Sequence, residues 1–414
     1  MRSALEVVAP ARLGRPFRWI LGWSWVTSLG DGFSIAAGPL LIVSLTHSPI
    51  LVSLAAFVQW VPPMLLGLHA GAIADRVDRR TLVVRTNVVR ALVLAALTVL
   101  VLTESVTVAA VLIVLFLLGT VDAFANSASA AVLPMVVAKR DLGVANARLT
   151  FGWVSLNQMA GPPIGAILFA FGAAWPFAAQ TICAIAGVLL FMRVSLPSHL
   201  PPTQPGRRIR QEITEGIRWT RNSPAMRALV VQILTFNITY GASWSVLVLF
   251  SQQRLGLGTV GFGWLTAATA VGSLVGTMTY GWLEAHVSLS NIMRYGLVLE
   301  TLTHLVLACT TSPTVAMLIL FLFGIHLAYW ATTASSVRQR AVPLELQGRV
   351  SSVYRLALYG GLVIGSVIGG LLANHWGITA PYWFGFVGCA VILAAIWRQI
   401  GQVGHNDAQI RDAT

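Results

Sequence analysis

Charge is what this sequence has least of. Only 10% of its 414 residues are Asp, Glu, Lys or Arg, where soluble domains carry roughly a quarter. Acidic residues are the scarcer sign, 14 against 27 basic. Cysteine is limited to Cys183, Cys309 and Cys389, all inside apolar runs. That placement argues against a disulfide framework and makes them small packing residues. The chain has no P-loop glycine–lysine signature, no Gly-x-Ser-x-Gly nucleophile motif and no zinc-ligand cluster, and its eight histidines are scattered. An enzyme, a metal site and a cofactor are therefore not expected. No cleavable signal is visible either. The first apolar run starts near Phe17, behind Arg2, Arg12 and Arg15, and is too long for a signal h-region. It reads as a retained first span with a cytoplasmic N-terminus.

What the chain has is apolar length. It is 56% hydrophobic, with mean hydropathy +0.77, and segments long enough to span a bilayer recur from end to end. One large soluble core would not show that recurrence. The expected fold class is an all-α polytopic membrane protein, because backbone groups in hydrocarbon must be satisfied within their own segment and a barrel would show short alternating strands. We expect twelve transmembrane helices, near 17–43, 50–74, 82–102, 107–129, 148–171, 175–194, 227–250, 260–283, 291–309, 313–333, 351–373 and 380–398. The net charge of +13 would suggest nucleic acid in a soluble protein. Here the positive-inside rule accounts for it, and no nucleic-acid partner is expected. With the N-terminus inside, Arg2 to Arg18, Arg76 to Arg90, Lys139 to Arg148, Arg193 to Arg227, Arg294, Arg338 to Arg355, Arg398 and Arg411 fall at inner positions; only Arg254 falls outside. Both termini are thus expected in the cytoplasm, with the protein multi-pass in the cell inner (plasma) membrane.

The long apolar run before Gly71 ends in Asp75-Arg76-Val77-Asp78-Arg79-Arg80-Thr81, where six of seven residues are polar. The longest polar gap lies near 195–225. It opens on Pro197, Pro201, Pro202 and Pro205 and continues through Ile209, Ile213, Ile217 and Trp219 set among charges. It reads as an extended linker followed by an amphipathic helix, either on the inner membrane face or solvated. The expected domains are 1–196, an N-terminal six-helix bundle; 197–224, the linker; 225–398, a C-terminal six-helix bundle; and 399–414, a cytoplasmic tail. The halves echo one another. Gly67 and Gly71 match Gly272 and Gly276; Gly161 and Gly165 match Gly361 and Gly365; Leu133-Pro134 matches Val342-Pro343. Ordered matches at nearly one offset favour parallel six-span repeats, as in many transporters.

The stretch Gly71-Ala-Ile-Ala-Asp75-Arg76-Val-Asp78-Arg79-Arg80 resembles the cytoplasmic loop 2–3 motif of the major facilitator superfamily. Asp78 stands where the usual motif has glycine. With Leu29-Gly30-Asp31-Gly32, Leu133-Pro134 followed by Ala145-Asn146, and Gly348-Arg349-Val350, this variant resembles the branch containing enterobactin exporters and macrolide and multidrug efflux proteins. The resemblance covers residues 15–398. It implies that Gly71, Asp75, Arg76, Arg79 and Arg80 form a cytoplasmic gate, with Asp75 facing the start of span 11; otherwise the arginines only fix topology. It also implies that Gly161, Pro162, Pro163 and Gly165 form an exporter-type helix motif, kinked by its prolines and closely packed through its glycines; plain packing is the alternative. Two features depart from the pattern. Span 4 lacks the arginine of many drug–proton antiporters, and the second-half loop keeps only Glu284 and His286.

Ionisable residues inside a membrane are expensive and functional by default. The proton-coupling candidates are Asp31, which shares a helix face with Ser24 and Ser28, then Asp122, then Glu300 with His304 four residues on. Asp31 can alternatively be a structural hydrogen-bonding group, and Glu300–His304 a structural pair. Arg90 can pair with a neighbouring carboxylate or snorkel to the surface. In the resembled fold spans 1, 4, 7 and 10 line the cavity, which implies substrate contacts at Asn126, Asn237, Tyr240, Trp244, His326, Tyr329 and Trp330. Packing is the alternative for each aromatic. The expected function is proton-coupled export of a small amphipathic molecule (a drug, macrolide or siderophore) by alternating access, with a small-molecule substrate, protons and the lipid bilayer as partners and a monomer as the working unit. The alternatives are an importer or facilitator, and more distantly a membrane receptor or membrane enzyme.

Overall fold

A computed structural model describes residues 10–74, 77–130, 132–196, 209–343 and 346–411. Among them helix dominates and no strand occurs. The apolar helices are α1 Gly14–Leu45, α2 Pro49–Ala74, α3 Arg79–Leu102, α4 Val108–Ala130, α5 Leu142–Phe171, α6 Trp175–Phe191, α7 Met226–Gln253, α8 Thr259–His286, α9 Leu289–Cys309, α10 Pro313–Ala341, α11 Gln347–Trp376 and α12 Ala380–Arg411. Among the described residues, ten are long and apolar enough to cross a membrane. The apolar segments Trp175–Phe191 and Ala380–Ala395 are shorter. Several helices run past their expected ends, α10 by a further eight residues to Ala341, because a helix keeps making its own hydrogen bonds after its side chains turn polar.

The chain forms two compact units: Met1–Thr46 with Val58–Ile209, and His47–Phe57 with Arg210–Thr414. In the first, α1 packs on α5 and α6, and α3 on α4 and α6. In the second, α7 packs on α11 and α12, α9 on α10 and α12, and α8 on α10. The internal echo extends to these contacts. A Cβ on Gly161 would lie 2.5 Å from Gly32 Cα, and one on Gly165 2.3 Å from the Phe33 carbonyl oxygen. Likewise a Cβ on Gly361 would lie 2.7 Å from Asn237 Cβ, and one on Gly365 2.4 Å from the Ile238 carbonyl oxygen. The same pair of glycines, four apart, thus seats α5 on α1 and α11 on α7. Gly67 breaks the echo: among the described residues nothing from outside its own helix lies within 4 Å of a Cβ added there, whereas one on Gly272 would meet the Phe321 backbone.

Two pairs of prolines shape the first unit. Pro63 has no N–H for the carbonyl of Gln59, and Gly119 of α4 comes so close that its Cβ would lie 2.6 Å from that oxygen. Pro162 and Pro163 likewise withdraw two donors from α5. The turns before them, Trp153–Ala160, are π-helical, and the Gly161 N–H bonds to Leu156 O, five residues back. The expected kink is thus a π segment, which prolines and functional sites commonly accompany.

The linker helix Ile209–Asn222 is strongly amphipathic. Its Gly216 lies against the first turn of α11, where a Cβ would sit 2.8 Å from the Arg349 carbonyl oxygen. Arg349 Nη1 is 2.6 Å from Glu215 Oε1. One face is therefore held by α11, while Ile217 points outward, 46% exposed.

Candidate functional site

Three charged side chains from three helices meet in the first unit. Arg90 of α3 is buried, its side chain 9% exposed, and it faces two carboxylates. Its Nη1 donates to Asp31 Oδ2 at 3.0 Å and Oδ1 at 3.3 Å. Its Nη2 donates to Asp122 Oδ1 of α4. Gln180 of α6 donates to Asp31 Oδ1 at 3.2 Å and accepts a hydrogen bond from Ser34. The planar guanidinium fork is suited to two acceptors at fixed angles, and a buried arginine is tolerable only when paired in this way. Asp31 and Asp122 keep 37% and 43% of their side chains exposed. With both ionised, the trio carries one negative charge more than Arg90 balances. A single proton, or one substrate cation, makes the count even.

The Gly161–Gly165 stretch of α5 lies directly beside this network. Gly161 packs on Gly32, the residue after Asp31. In the π segment, the Asn157 side-chain amide donates to the Ser28 carbonyl at 3.1 Å. Gly30, on the other side of Asp31, packs against Cys183 of α6, an added Cβ falling 2.7 Å from Cys183 Cβ. Asp31 is thus set between two glycines that bring α5 and α6 against its own backbone.

The second unit holds a network on the corresponding helices. Cys389 Sγ of α12 donates to Glu300 Oε1 of α9 at 3.1 Å. His326 Nε2 of α10 is 3.8 Å from Glu300 Oε2. His304 Nδ1 shares a hydrogen bond with Ser243 Oγ of α7 at 3.2 Å. The expected Glu300–His304 pair is therefore part of a larger group in which each member has another partner. Glu300, His304, His326 and Cys389 are all buried, none more than 3% exposed. The first network spans α1, α3, α4 and α6; the second spans α7, α9, α10 and α12, the same positions in each half.

The expected cavity residues separate. Tyr240 stacks on Phe236, Trp244 and Phe323, with ring centroids 5.8, 5.2 and 6.0 Å away. His326 and Trp330 lie next to one another, and both line a cavity of about 10 Å³ with Gln232, Phe236, Leu297, Glu300 and Ile392. Trp330 also belongs to an apolar cluster with Met226 and Met293. Tyr329 bonds to Thr279 at 2.8 Å. Asn237 turns back on its own helix, donating to the Ile233 carbonyl at 2.7 Å, and is buried against Gly361. Asn126 is exposed on α4.

In the charged loop, Asp75 and Arg76 lie outside the described residues, as does the side-chain environment of Gly71. Arg80 donates to the Met192 carbonyl at the end of α6 at 2.6 Å, and Arg79 to Met135 Sδ at 3.4 Å. Asp78 caps α3: its Oδ2 accepts from the Thr81 N–H at 2.8 Å and the Thr81 hydroxyl at 2.6 Å. These bonds hold its carboxyl below the ordinary range. A depressed pKa means that the cap stabilises the fold above the normal carboxylate range and is lost as pH falls through it. Asp78→Ala is expected to cost about 1 kcal/mol, read as a lower thermal midpoint of the purified protein, with Asp78→Ser retaining most of it.

Sequence reasoning missed Gln180, Asn157, Ser243 and Cys389. A lone amide or hydroxyl in an apolar span is a weak signal, and each reaches its partner only across a helix interface. Arg90 had a visible signal, a charge well inside a span, but not its two partners.

Residues 7–412 match the family described as transmembrane secretion effector. The chain is 24% identical over 379 residues to the multidrug efflux pump Tap of Mycolicibacterium fortuitum, covering 89% of this chain and 91% of that one. It is 26% identical over 384 residues to the enterobactin exporter EntS of Shigella boydii, covering 89% and 88%. Its fold is similar to the crystal structure of a point mutant of the nucleoside transporter NupG, with TM-score 0.76 and 11% identity over 93% of this chain and 100% of that one.

Proposed function

Since the chain belongs to the transmembrane secretion effector family of the major facilitator superfamily, and is therefore a polytopic membrane transporter of small molecules and not an enzyme, we propose that it exports a small amphipathic compound in exchange for protons. The observation that carries the reading is the trio Asp31–Arg90–Asp122. Two half-exposed carboxylates share one buried guanidinium, so binding one proton changes the charge of the group from unbalanced to balanced. A carrier needs such a two-state element: a group loaded on one side of the membrane and emptied on the other, biasing the alternating conformations as it does so. Asp31 is the first coupling residue and Asp122 the second. The relatives' descriptions as a multidrug efflux pump and an enterobactin exporter support outward movement of a drug-like or siderophore-like cargo. The aromatic stack around Tyr240 supplies an apolar, polarizable face for such a cargo. Localisation in the inner (plasma) membrane, cytoplasmic termini and a monomeric unit complete the proposal, with the charged loop acting as the gate.

The test is efflux of a compound panel from cells lacking other pumps, with and without a protonophore. Expression should lower accumulation of at least one amphipathic compound, and the protonophore should restore it. Asp31→Asn should abolish uphill export at normal protein level. Unchanged accumulation across the panel would refute export, and export by Asp31→Asn that still collapses with the protonophore would refute the coupling site.

A further inference from the structure

The network in the second unit is not a copy of the first. Where the first has a guanidinium between two carboxylates, the second gathers a carboxylate, two imidazoles and a thiol, a donor set suited to a borderline transition-metal ion. One ligand atom each from Glu300, His304 and Cys389 lies within 4.8 Å of the others. His326 Nε2 adds a fourth, 3.8 Å from the second oxygen of Glu300. Tetrahedral zinc with bonds of about 2.0–2.3 Å holds its ligands roughly 3.3–3.7 Å apart, so binding draws the Glu300, His304 and Cys389 atoms in from their 4.8 Å limit and turns His326 toward them from the Glu300 side.

Three further observations point to an occupant. His304 Nε2 and His326 Nε2 are buried with no hydrogen-bond partner, a costly state for imidazole nitrogens. Each ring fills a slot made by a glycine: a Cβ on Gly385 would lie 2.5 Å from His304 Nδ1, and one on Gly296 2.6 Å from His326 Nδ1. A cavity of about 10 Å³, close to the space one water needs, borders Glu300 and His326 though its lining does not reach His304 or Cys389. Ser243 holds His304 Nδ1, which orients the ring and leaves Nε2 as the ligand atom, the usual second partner of a metal-bound histidine.

We propose that Glu300, His304, His326 and Cys389 form a site for a divalent borderline metal of the Zn²⁺ class, joining α9, α10 and α12. Binding displaces the Cys389 thiol proton to solvent and leaves thiolate and carboxylate on the ion. Two anionic and two neutral ligands cancel the 2+ charge, so the filled site is neutral and suits a dry interior. Mg²⁺ and Ca²⁺, which need more oxygen ligands, are excluded.

The experiment uses the purified full-length protein with its affinity tag removed, stripped with a chelator and titrated with Co²⁺ as a spectroscopic probe and Zn²⁺ as competitor. One equivalent of Co²⁺ should give tetrahedral visible bands and a thiolate charge-transfer band, both displaced by Zn²⁺ and unaffected by Mg²⁺. Zn²⁺ should raise the thermal midpoint. The charge-transfer band should vanish in Cys389→Ser and persist in Cys183→Ser/Cys309→Ser, which keeps Cys389 as the single thiol and tests the assignment even if Cys389→Ser folds poorly. Ser243→Ala, which loosens the His304 ring, should weaken Zn²⁺ binding 10- to 100-fold. Absence of the bands in the wild type, or their loss in the Cys183/Cys309 variant while Cys389→Ser keeps them, would overturn the site. Water filling the cavity instead would give no bands and no Zn²⁺-dependent midpoint, the same refuting result.

Discussion

Replacing Arg90 with leucine should destabilise the protein, and replacing both of its partners as well should restore the stability without the transport. Arg90 is buried while Asp31 and Asp122 face it from α1 and α4. Removing the cation leaves two carboxylates near one another with nothing between them. Breaking a buried ion pair from one side typically costs about 3–5 kcal/mol when the abandoned charge is buried; here the abandoned carboxylates are 37% and 43% exposed, so the cost should fall below that range. The midpoint of thermal unfolding in detergent should still fall in Arg90→Leu. In Arg90→Leu/Asp31→Asn/Asp122→Asn the abandoned charges are gone and the midpoint should recover most of that loss. Recovery of stability with continued absence of uphill efflux separates the structural part of the trio from its coupling part. A single Arg90→Leu as stable as the wild type would show that the carboxylates do not depend on it.

Gly272→Ala and Gly324→Ala should each prevent normal assembly of the second unit. A Cβ on Gly272 of α8 would lie 1.8 Å from the Phe321 carbonyl oxygen of α10, and one on Gly324 of α10 1.9 Å from the Thr269 carbonyl oxygen of α8. The obstacle is backbone in both directions, so no side-chain rotation relieves it. Overpacking by a methylene costs about 1–3 kcal/mol where the surroundings can adjust, and the cost should exceed that range here. Gly281→Ala, in the same helix with nothing within 4 Å, is the control: it should be neutral or gain up to about 1 kcal/mol from helix propensity. Comparing monodisperse yield and thermal midpoint for the three variants decides the matter. Equal behaviour of Gly272→Ala and Gly281→Ala would mean that the helices are not in such close contact.

These two cases show what a reader of the sequence can and cannot see. Hydropathy alone placed the helices, since a membrane forces every backbone group to be satisfied within its own segment. Asp31, Asp122, Glu300 and His304 stood out because charge in an apolar run is rare. What one dimension does not carry is which helix faces bear on one another. Arg90 and Asp122 are 32 residues apart, Asp31 and Gln180 149, and the partnership depends on the rotation of each helix about its axis. The same limit hid Cys389, 89 residues from Glu300, which looked like a packing residue, so Glu300 and His304 were read as a pair and His326 as a separate cavity residue. Asn237 was expected at a cavity because its helix was, yet its amide is used by its own backbone. The acidic residue in the charged loop looked like a family marker and is also a helix cap.

The π segment in α5 has a consequence for how this chain can tolerate insertions and deletions. Before it, Gly152 lies so close to Trp25 that a Cβ would sit 2.0 Å from the indole Nε1, and that nitrogen donates to the Arg148 carbonyl at 3.3 Å. After it, Gly161 and Gly165 meet Gly32 and Phe33. The segment therefore sets the phase between two separate docking faces on one helix. Each residue of an ordinary α-helix advances that phase by about 100°. Losing one residue between Trp153 and Ala160 would keep the hydropathy of the span intact and still turn one docking face away from α1. The reading frame of α5 is fixed by its two grips on a single neighbour rather than by the thickness of the bilayer.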